Sequence, residues 1–466
     1  LPGKKVKDNG RLHFIGIGGA GMSGIAQVYH SLGYTVSGSD LKRSRYTRML
    51  EEQGVPVVFG HDAANLDMPD AVVVSTAISS QNVELRAAIE REIPVFLRAQ
   101  MLGRLMAMKR GIAVAGTHGK TTTTSMIAHC MERLGLEPSY VVGGELNDVG
   151  SNARDGAGSW LVAEADESDG SLLHLHPEIA VITNVELDHH SHYSSLEQVA
   201  EVFRRFASQL PEDGALIIWD RPLLKDIARS TGARVLTFGL EDGADYTAAG
   251  VDVRRDGTGF RLTGRAVDAE AAIDLSVRGE HNVLNALAAL AVLDLVGVAP
   301  LDAAPALQRF TGAARRFQVK GEVDGITVVD DYAHHPTELK ATLKAARAGG
   351  WARIIGAFQP HLYSRTRYLH HEFGEALQLC DLAIITDIFG AREEPEPGVS
   401  GKLVVDSVLR SNPGADVAYI PRPRNLVPLL LSELRPGDLF ITMGAGDIFK
   451  VGEELLAALE RQASLV

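Results

Sequence analysis

At 466 residues the chain is too long for one hydrophobic core, so two or three domains are expected. Its 45% hydrophobic and 23% charged residues are those of globular folds and exclude a disordered chain. A net charge of −13 argues against a nucleic-acid partner, and any anionic substrate must then be met by local Lys or Arg side chains or backbone N–H groups. No apolar run reaches membrane-spanning length and no signal peptide is visible. Cys130 and Cys380 lie far apart in helical, apolar surroundings, so both are expected as buried free thiols in a cytoplasmic protein. The start at Leu1 rather than Met leads us to expect further native residues before it.

Taken in chain order, the first segment, about 1–107, opens with a strand at Arg11–Ile15 that runs into Gly16-Ile17-Gly18-Gly19-Ala20-Gly21-Met22-Ser23 and a helix to about Leu32. Gly16, Gly18 and Gly21 fit G-x-G-x-x-G, and a second strand, Tyr34 to Ser39, ends at Asp40, near the distance a ribose contact requires. This fingerprint alone suits a nicotinamide, a flavin or any pyrophosphate-bearing nucleotide, and it also suits a plain tight turn. Strands at 55–59, 71–76 and 93–96 alternate with a helix at 83–92, which predicts a parallel sheet. Ser75 and Thr76 fall at a strand's carboxyl end, where open α/β sheets bind ligands. A helix at 101–109 leads onward.

The second segment, about 108–312, begins with the apolar strand Gly111–Ala115, followed by Gly116-Thr117-His118-Gly119-Lys120-Thr121-Thr122 and helical spacing through Met131. Strand, glycine turn, Lys-Thr and helix form a phosphate-binding loop, here the short variant Gly-x-x-Gly-Lys-Thr. Its backbone N–H groups and the helix N-terminus face anionic oxygens, the Lys adds a full charge, and the Thr hydroxyl can ligate Mg²⁺. After a turn-rich stretch at 147–158, the strand Trp160–Ala163 delivers Glu164, Asp166, Glu167 and Asp169, the place where Mg²⁺ carboxylates belong beside a phosphate loop. A third strand, 179–184, ends in Asp188-His189-His190-Ser191-His192, whose spacing is not a zinc pattern. An amphipathic helix without lysine is expected at 195–214, and strands with turns at 215–277. Asn282 and Asn285 share one face of the helix that follows; their amides suit an adenine edge, and as helix caps they would need no further role.

The third segment, about 313–466, holds Arg315-Arg316 at a Gly-Ala turn. The strand Ile326–Val329 then ends in Asp330-Asp331-Tyr332-Ala333-His334-His335-Pro336 before a helix, with Pro336 in its first turn. The strand 353–358 delivers Gln359-Pro360-His361-Leu362-Tyr363-Ser364-Arg365, and further strands at 382–386 and 439–443 complete a second open α/β sheet.

These stretches, from His13–Ser23 through Gly116–Thr122, Glu164–Asp169, Asp188-His189, His281-Asn282 with Asn285, Asp330–Glu338 and Phe358–His361 with Arg365, occur in the order found in the Mur ligase family, which the chain resembles over nearly its whole length. The resemblance implies an α/β fold of three domains: an N-terminal Rossmann-like UDP-sugar domain (1–107), a central P-loop ATPase with a mostly parallel sheet (108–312) and a Rossmann-like C-terminal domain (313–466). It also implies ATP-dependent amide ligation of L-alanine to UDP-N-acetylmuramate through an acyl phosphate, in peptidoglycan synthesis. On that basis Gly16, Gly18, Gly19, Ala20, Gly21, Met22 and Ser23, with Asp40, Ser75 and Thr76, hold the UDP-sugar. Gly116, Thr117, His118, Gly119, Lys120, Thr121, Thr122, Asn282, Asn285, Arg316 and Asp331 serve ATP. Thr121 and Glu164 place one Mg²⁺ and His189 a second, while His334, His361 and Arg365 meet the amino acid. Two departures stand out. No lysine lies between Glu186 and Gly214 to supply the modified lysine of several relatives, as in the alanine-adding type. Leu362 stands where relatives often carry Arg, so recognition of the amino acid leans on Arg365. Competing readings are a murein peptide ligase of cell-wall recycling, an NAD-dependent dehydrogenase and a non-catalytic nucleotide switch.

Overall fold

A computed structural model describes residues 9–147, 150–189, 192–391 and 393–464. His190 and Ser191 of the histidine-rich run lie outside the described residues. The chain is α/β, and its Cα positions group into two compact units. The first comprises 1–185, 197–238 and 288–306; the second comprises 186–196, 239–287 and 307–466.

In the first unit, β1 (Arg11–Ile15), α1 (Ala20–Ser31), β2 (Thr35–Asp40), α2 (Arg45–Glu52), β3 (Val57–Phe59), β4 (Ala71–Val74), α3 (Val83–Glu90), β5 (Val95–Leu97) and α4 (Arg98–Ala107) build a parallel sheet of order β3-β2-β1-β4-β5. The order reverses beside β1, so the glycine turn after β1 opens at a topological switch point. One face packs Ile15, Val72 and Val74 on Ala87 and Ala88 of α3. α1 and α4 are tied by the Tyr29 hydroxyl, which donates to the Met101 carbonyl at 3.1 Å.

The same unit continues with β6 (Arg110–Ala115), α5 (Lys120–Arg133), β7 (Ser139–Leu146), β8 (Ser151–Arg154), β9 (Trp160–Glu164), β10 (Ile179–Ile182), α6 (Leu196–Ala207), β11 (Ala215–Trp219), α7 (Pro222–Ala228) and β12 (Arg234–Gly239). The strands run β12-β11-β10-β6-β9-β7-β8, parallel except for β8. β6, β9 and β10 are continuous apolar runs because a parallel sheet is covered on both faces. α5 is buried from Thr122 to Met131, which makes it a core helix rather than an amphipathic surface one. Two expectations change here. The turn-rich stretch at 147–158 contains β8, and the stretch at 215–277 contains α7, whose Pro222 sits in the first helical turn, where its missing N–H costs nothing.

In the second unit, β13 (Tyr246–Arg254), β14 (Gly257–Thr263) and β15 (Ala271–Leu275) form an antiparallel run. α8 (Glu280–Leu295) and α9 (Pro300–Gln308) follow, each reaching into both chain groupings. Then come β16 (Gln318–Val323), β17 (Ile326–Asp331), α10 (Pro336–Ala348), β18 (Arg353–Phe358), α11 (Tyr363–Leu377), β19 (Leu382–Ile385), α12 (Lys402–Ser411), β20 (Val417–Tyr419), α13 (Leu426–Glu433), β21 (Asp438–Met443) and α14 (Phe449–Ala463). Their sheet has the order β16-β17-β21-β18-β19-β20, with β16 antiparallel and the rest parallel. Alternate residues feed two cores: Val329, Ile354 and Ile441 on the α10–α12 side, Val328, Ile355 and Phe440 on the α13–α14 side.

Cys130 and Cys380 are free thiols. Cys380 lies in the turn before β19 rather than in a helix and is half-buried, which corrects the expectation for it. Burial pushes both thiols up to about 12, so neither is a nucleophile at neutral pH. Among the described residues no helix is long and apolar enough to cross a membrane.

Candidate active site

The nucleotide loop is built by three neighbouring strand ends. Register places Ala115 of β6 beside Ile182 of β10, and Val114 beside Glu164 of β9. Residues 116–119 therefore emerge between Glu164 on one side and Thr183-Asn184 on the other. Gly116 has φ +131°, and a Cβ there would be driven into the Thr183 hydroxyl. Only glycine serves at that position, because the backbone is in a region L side chains avoid and the space is already filled. Asn184 brackets the turn. Its backbone carbonyl accepts from Thr117 N at 3.0 Å, its Oδ1 from His118 N at 2.8 Å, and its Nδ2 donates to the His118 carbonyl at 3.0 Å. The Thr183 hydroxyl donates to the same carbonyl at 2.6 Å. Gly119, with φ +82°, caps α5 without a side-chain bond, which leaves the first-turn N–H groups facing the loop.

Lys120 opens α5 and folds back over its own loop. Its Nζ donates to the carbonyls of Gly116 (2.5 Å) and Thr117 (3.2 Å) and to both oxygens of Glu167 (2.8 and 3.1 Å). Burial alone would lower the ammonium pKa; Glu167, then Asp166 and Glu164, outweigh it and hold Lys120 above its ordinary value. Glu164 accepts from Gly143 N at 2.7 Å. A Cβ on Gly143 would lie 2.7 Å from Glu164 Oε2, and one on Gly144 would lie 3.2 Å from Thr121 Cγ2. The Thr121 and Glu164 side chains thus both border the Gly143-Gly144 pair. A hydroxyl and a carboxylate are hard oxygen donors, and this pair fits a Mg²⁺ ion.

The other glycine turn lies in the same unit. Ser39 O accepts from Gly16 N (2.8 Å) and Ile17 N (3.0 Å), and Asp40 Oδ2 accepts from Gly18 N at 2.9 Å. Asp40 therefore reaches back to the turn itself. Gly19 caps α1 with no side-chain bond. Ser75 and the exposed Thr76 follow β4, and Ile78 covers Gly16. Sequence reasoning missed Arg98. At the start of α4, its guanidinium crosses the first turn of α1, with Nη1 3.1 Å from where a Gly21 Cβ would stand. Its Nη2 lies 3.7 Å from Asp166. Asp166 is desolvated, but Lys120, then a hydrogen bond from Ser168 N–H, then Arg98 outweigh that and hold it ionised below its ordinary value. The ion pairs Arg98–Asp166 and Lys120–Glu167, on adjacent acids, so link the two glycine turns. The signal for Arg98 was its place just after the carboxyl end of β5. The Asn152 amide of β8 also donates to the Ala20 carbonyl at 2.6 Å, pinning α1 to the nucleotide sheet.

In the second unit Asn282 and Asn285 do share one face of α8. Asn285 Nδ2 donates to Asn282 Oδ1 at 3.2 Å and Asn282 Nδ2 to the Arg278 carbonyl at 2.7 Å, both inside the helix or at its entry rather than as N-caps. His281 is pushed down to about 4 by burial and then by Arg316, so it is neutral at physiological pH. Asp331 accepts from the backbone N–H groups of Phe317 and Ala333, both at 2.7 Å, and burial raises its pKa to about 6. Arg316 lies 3.7 Å from Glu338, whereas its neighbour Arg315 is an internal tie to Asp330 (2.8 Å) and the Gly444 carbonyl (2.8 Å).

His334, His361 and Arg365 are brought together at the ends of β17 and β18. The His334 and His361 rings stand 5.8 Å apart, edge to face, and Arg365 Nη1 donates to His361 Nδ1 at 3.1 Å. His334 Nδ1 pairs with the Tyr332 carbonyl, which fixes the proton on Nδ1; burial then lowers its pKa to about 3. Arg365 is itself almost fully buried and meets a carboxylate of the chain. Asp188 engages it through Nε and Nη2, each at 3.0 Å. His189 has φ +54° and its Nε2 lies 3.8 Å from Asp188 Oδ2.

Three family models match along the chain: the Mur ligase family catalytic domain over 11–110, the Mur ligase middle domain over 114–293, and the Mur ligase glutamate ligase domain over 315–446. The chain belongs to the Mur ligase family. Among relatives of this Mur ligase, the UDP-N-acetylmuramate–L-alanine ligase of Rubrobacter xylanophilus is 50% identical over 452 residues, 96% of this chain and 100% of that protein. The enzyme of that name from Pelotomaculum thermopropionicum is 48% identical, covering 97% and 98%. The solved UDP-N-acetylmuramate–alanine ligase of Thermotoga maritima superposes with a TM-score of 0.83 at 28% identity, over 97% of this chain and 100% of that one. A murein peptide ligase from Psychrobacter arcticus gives 0.73 at 26% identity, over 97% and 98%. Family membership does not favour the dehydrogenase reading of the first glycine turn or the switch reading of the chain.

Proposed function

We propose that this Mur ligase joins L-alanine to UDP-N-acetylmuramate with hydrolysis of ATP to ADP and phosphate. The observation that carries the reading is the pair of glycine turns in one unit, joined through the Arg98–Asp166 and Lys120–Glu167 ion pairs of adjacent acids, in a chain about half identical to L-alanine ligases over nearly its full length. The working domains are taken as 1–107, 108–312 and 313–466.

In this reading the UDP diphosphate rests on the turn from Gly16 to Ser23, with Asp40, Ser75 and Thr76 at its rim. ATP rests on the turn from Gly116 to Thr122; the family resemblance assigns Asn282, Asn285, Arg316 and Asp331 to its nucleoside. The lactyl carboxylate attacks the γ-phosphorus of ATP, the bond to ADP breaks, and an acyl phosphate forms. The alanine amine then attacks the acyl carbon; inorganic phosphate leaves and the amine surrenders a proton. Two anions must meet in the first step, so the residues act by charge neutralisation and alignment. Lys120, kept protonated by Glu167, moves its Nζ from that carboxylate to the terminal phosphates. Thr121 and Glu164 would hold Mg²⁺, with His189 assigned to a second ion; a bound metal would supply Lewis-acid charge. Arg365 receives the alanine carboxylate, and the neutral Nε2 of His334 or the His361 ring faces the amine.

Lys120→Ala is expected to lower ligation by about 10³-fold or more while UDP-N-acetylmuramate affinity, measured by calorimetry, stays within about twofold. Loss of both together would contradict the assignment of the two turns. Assayed side by side, L-alanine should support ADP release and the tripeptide of cell-wall recycling should not; the reverse result would move the chain to the peptide ligases.

A further inference from the structure

Arg365 is the third residue of α11 and almost fully buried, as is Asp188, which follows β10 in sequence. Their contact is side-on and bidentate, with Nε and Nη2 each donating to a different carboxylate oxygen at 3.0 Å. The segment bearing Asp188 is anchored independently, because Glu186 Oε2 accepts from the Thr337 hydroxyl at 2.7 Å. Arg365 Nη1 donates to His361 Nδ1 at 3.1 Å and lies 3.5 Å from the His361 carbonyl. A guanidinium has five N–H donors in a rigid plane. Asp188 takes two, on one edge, and His361 takes one on Nη1. What remains is the end-on edge, one N–H of Nη2 and the weakly engaged second N–H of Nη1, which point in parallel and match the two oxygens of one more carboxylate. A buried guanidinium without a counter-charge would be costly and free to turn. Leu362, the residue preceding α11, brings no second cation to share the task.

We infer that Asp188 is the positioning residue of the amino-acid receptor: by holding the side edge of Arg365 it turns the end-on edge of the guanidinium toward the alanine carboxylate. The inference rests on the reading that Arg365 receives that carboxylate. It makes carboxylate recognition the joint property of two side chains 177 positions apart, and it gives the Asp of the Asp-His pair a task separate from that of His189.

The test compares L-alanine with L-alaninamide, which keeps the amine and loses the carboxylate, as acceptors for the full enzyme with ATP, Mg²⁺ and UDP-N-acetylmuramate. Asp188→Asn is expected to lower kcat/KM for L-alanine by about 10–100-fold, mainly through KM, and to leave the amide within about threefold. Arg365→Ala should show the same selective loss, and the double variant should be no worse than Arg365→Ala. If Arg365→Ala loses the preference for L-alanine but Asp188→Asn slows both acceptors equally, Asp188 is merely structural and the proposal fails. A lower KM for L-alanine in Asp188→Asn would make Asp188 a competitor of the substrate, and a raised Mg²⁺ requirement would make it a metal ligand; either overturns the proposal. Should Arg365→Ala leave the preference intact, the receptor reading itself falls, which the other outcomes do not imply. If Asp188→Asn fails to fold, Asp188→Glu, which keeps the charge but shifts it by a methylene, must show the same selective rise in KM.

Discussion

The two glycine turns share a plan and differ in where their charge comes from. Both follow a buried parallel strand and both lead into a helix capped by glycine without a side-chain bond. The turn at 116–119 carries its own cation, Lys120, and is bracketed on the next strand by Thr183 and Asn184. The turn at 16–21 has no cation of its own. Asp40 already occupies the Gly18 N–H, and the positive charge arrives from Arg98, 77 residues beyond Gly21, across the helix end. Its support is also different: the Ser39 carbonyl holds the turn while the Ser39 hydroxyl donates to the buried carboxylate of Glu84 at 2.5 Å. In the proposed reading, one local pattern yields a phosphoryl-transfer site where lysine sits inside it, and a diphosphate rest where arginine is lent from outside.

The sharpest way to break this comparison is Gly116→Ala. The added methyl meets Thr183, so ATP-dependent ligation should fall by at least about 10³-fold, with UDP-sugar binding preserved. Equal loss of both ligands would mean that the two turns are not separable. Arg98→Ala addresses the borrowed charge. UDP-sugar binding by calorimetry should weaken about 10–100-fold, the worth of a charge-assisted bond, while KM for ATP moves little. UDP-N-acetylglucosamine, which lacks the lactyl carboxylate, should lose as much; if it loses nothing, Arg98 serves the carboxylate rather than the diphosphate.

The smallest effect concerns the support beneath the first turn. Desolvation alone would raise the Glu84 pKa, but the His13 ring nitrogen 3.7 Å away and hydrogen bonds from Ser39 and Asn65 outweigh it and lower it from 4.5 to about 2. A carboxylate whose folded pKa is depressed stabilises fully above its unfolded value, and that stability is lost as pH falls from 4.5 toward 2. The difference corresponds to about 3 kcal/mol at neutral pH. Glu84→Gln should be less stable at pH 7 in urea and should show a flatter loss of stability between pH 4.5 and 2. An unchanged acid slope would remove Glu84 from the account.

Much of the site could be read without coordinates, because glycine spacing, Lys-Thr order and apolar strands act over a few residues. Less legible were the elements without a clear apolar rhythm. Mostly polar α2 holds only Thr47 and Leu50 buried, and β8 reads Ser-Asn-Ala-Arg, yet each is fixed by long-range packing. The same holds for partners. Asp166 and Glu167 were visible as acids, but that Glu167 grips Lys120 depends on how the chain turns after β9.

By itself, then, the amino-acid order determined the strand-turn-helix units, the family and the residue types that phosphoryl transfer demands, since backbone torsions and local charge need no distant neighbour. Only the tertiary structure decided that Arg98 would cross the first turn of α1, that Asn184 would bracket the second glycine turn, and that Asp188 would hold Arg365. The Asn184 pairing arises because β10 ends beside β6, and the Asp188–Arg365 pair joins residues 177 positions apart; contacts of that range are set by how the chain packs, not by local sequence.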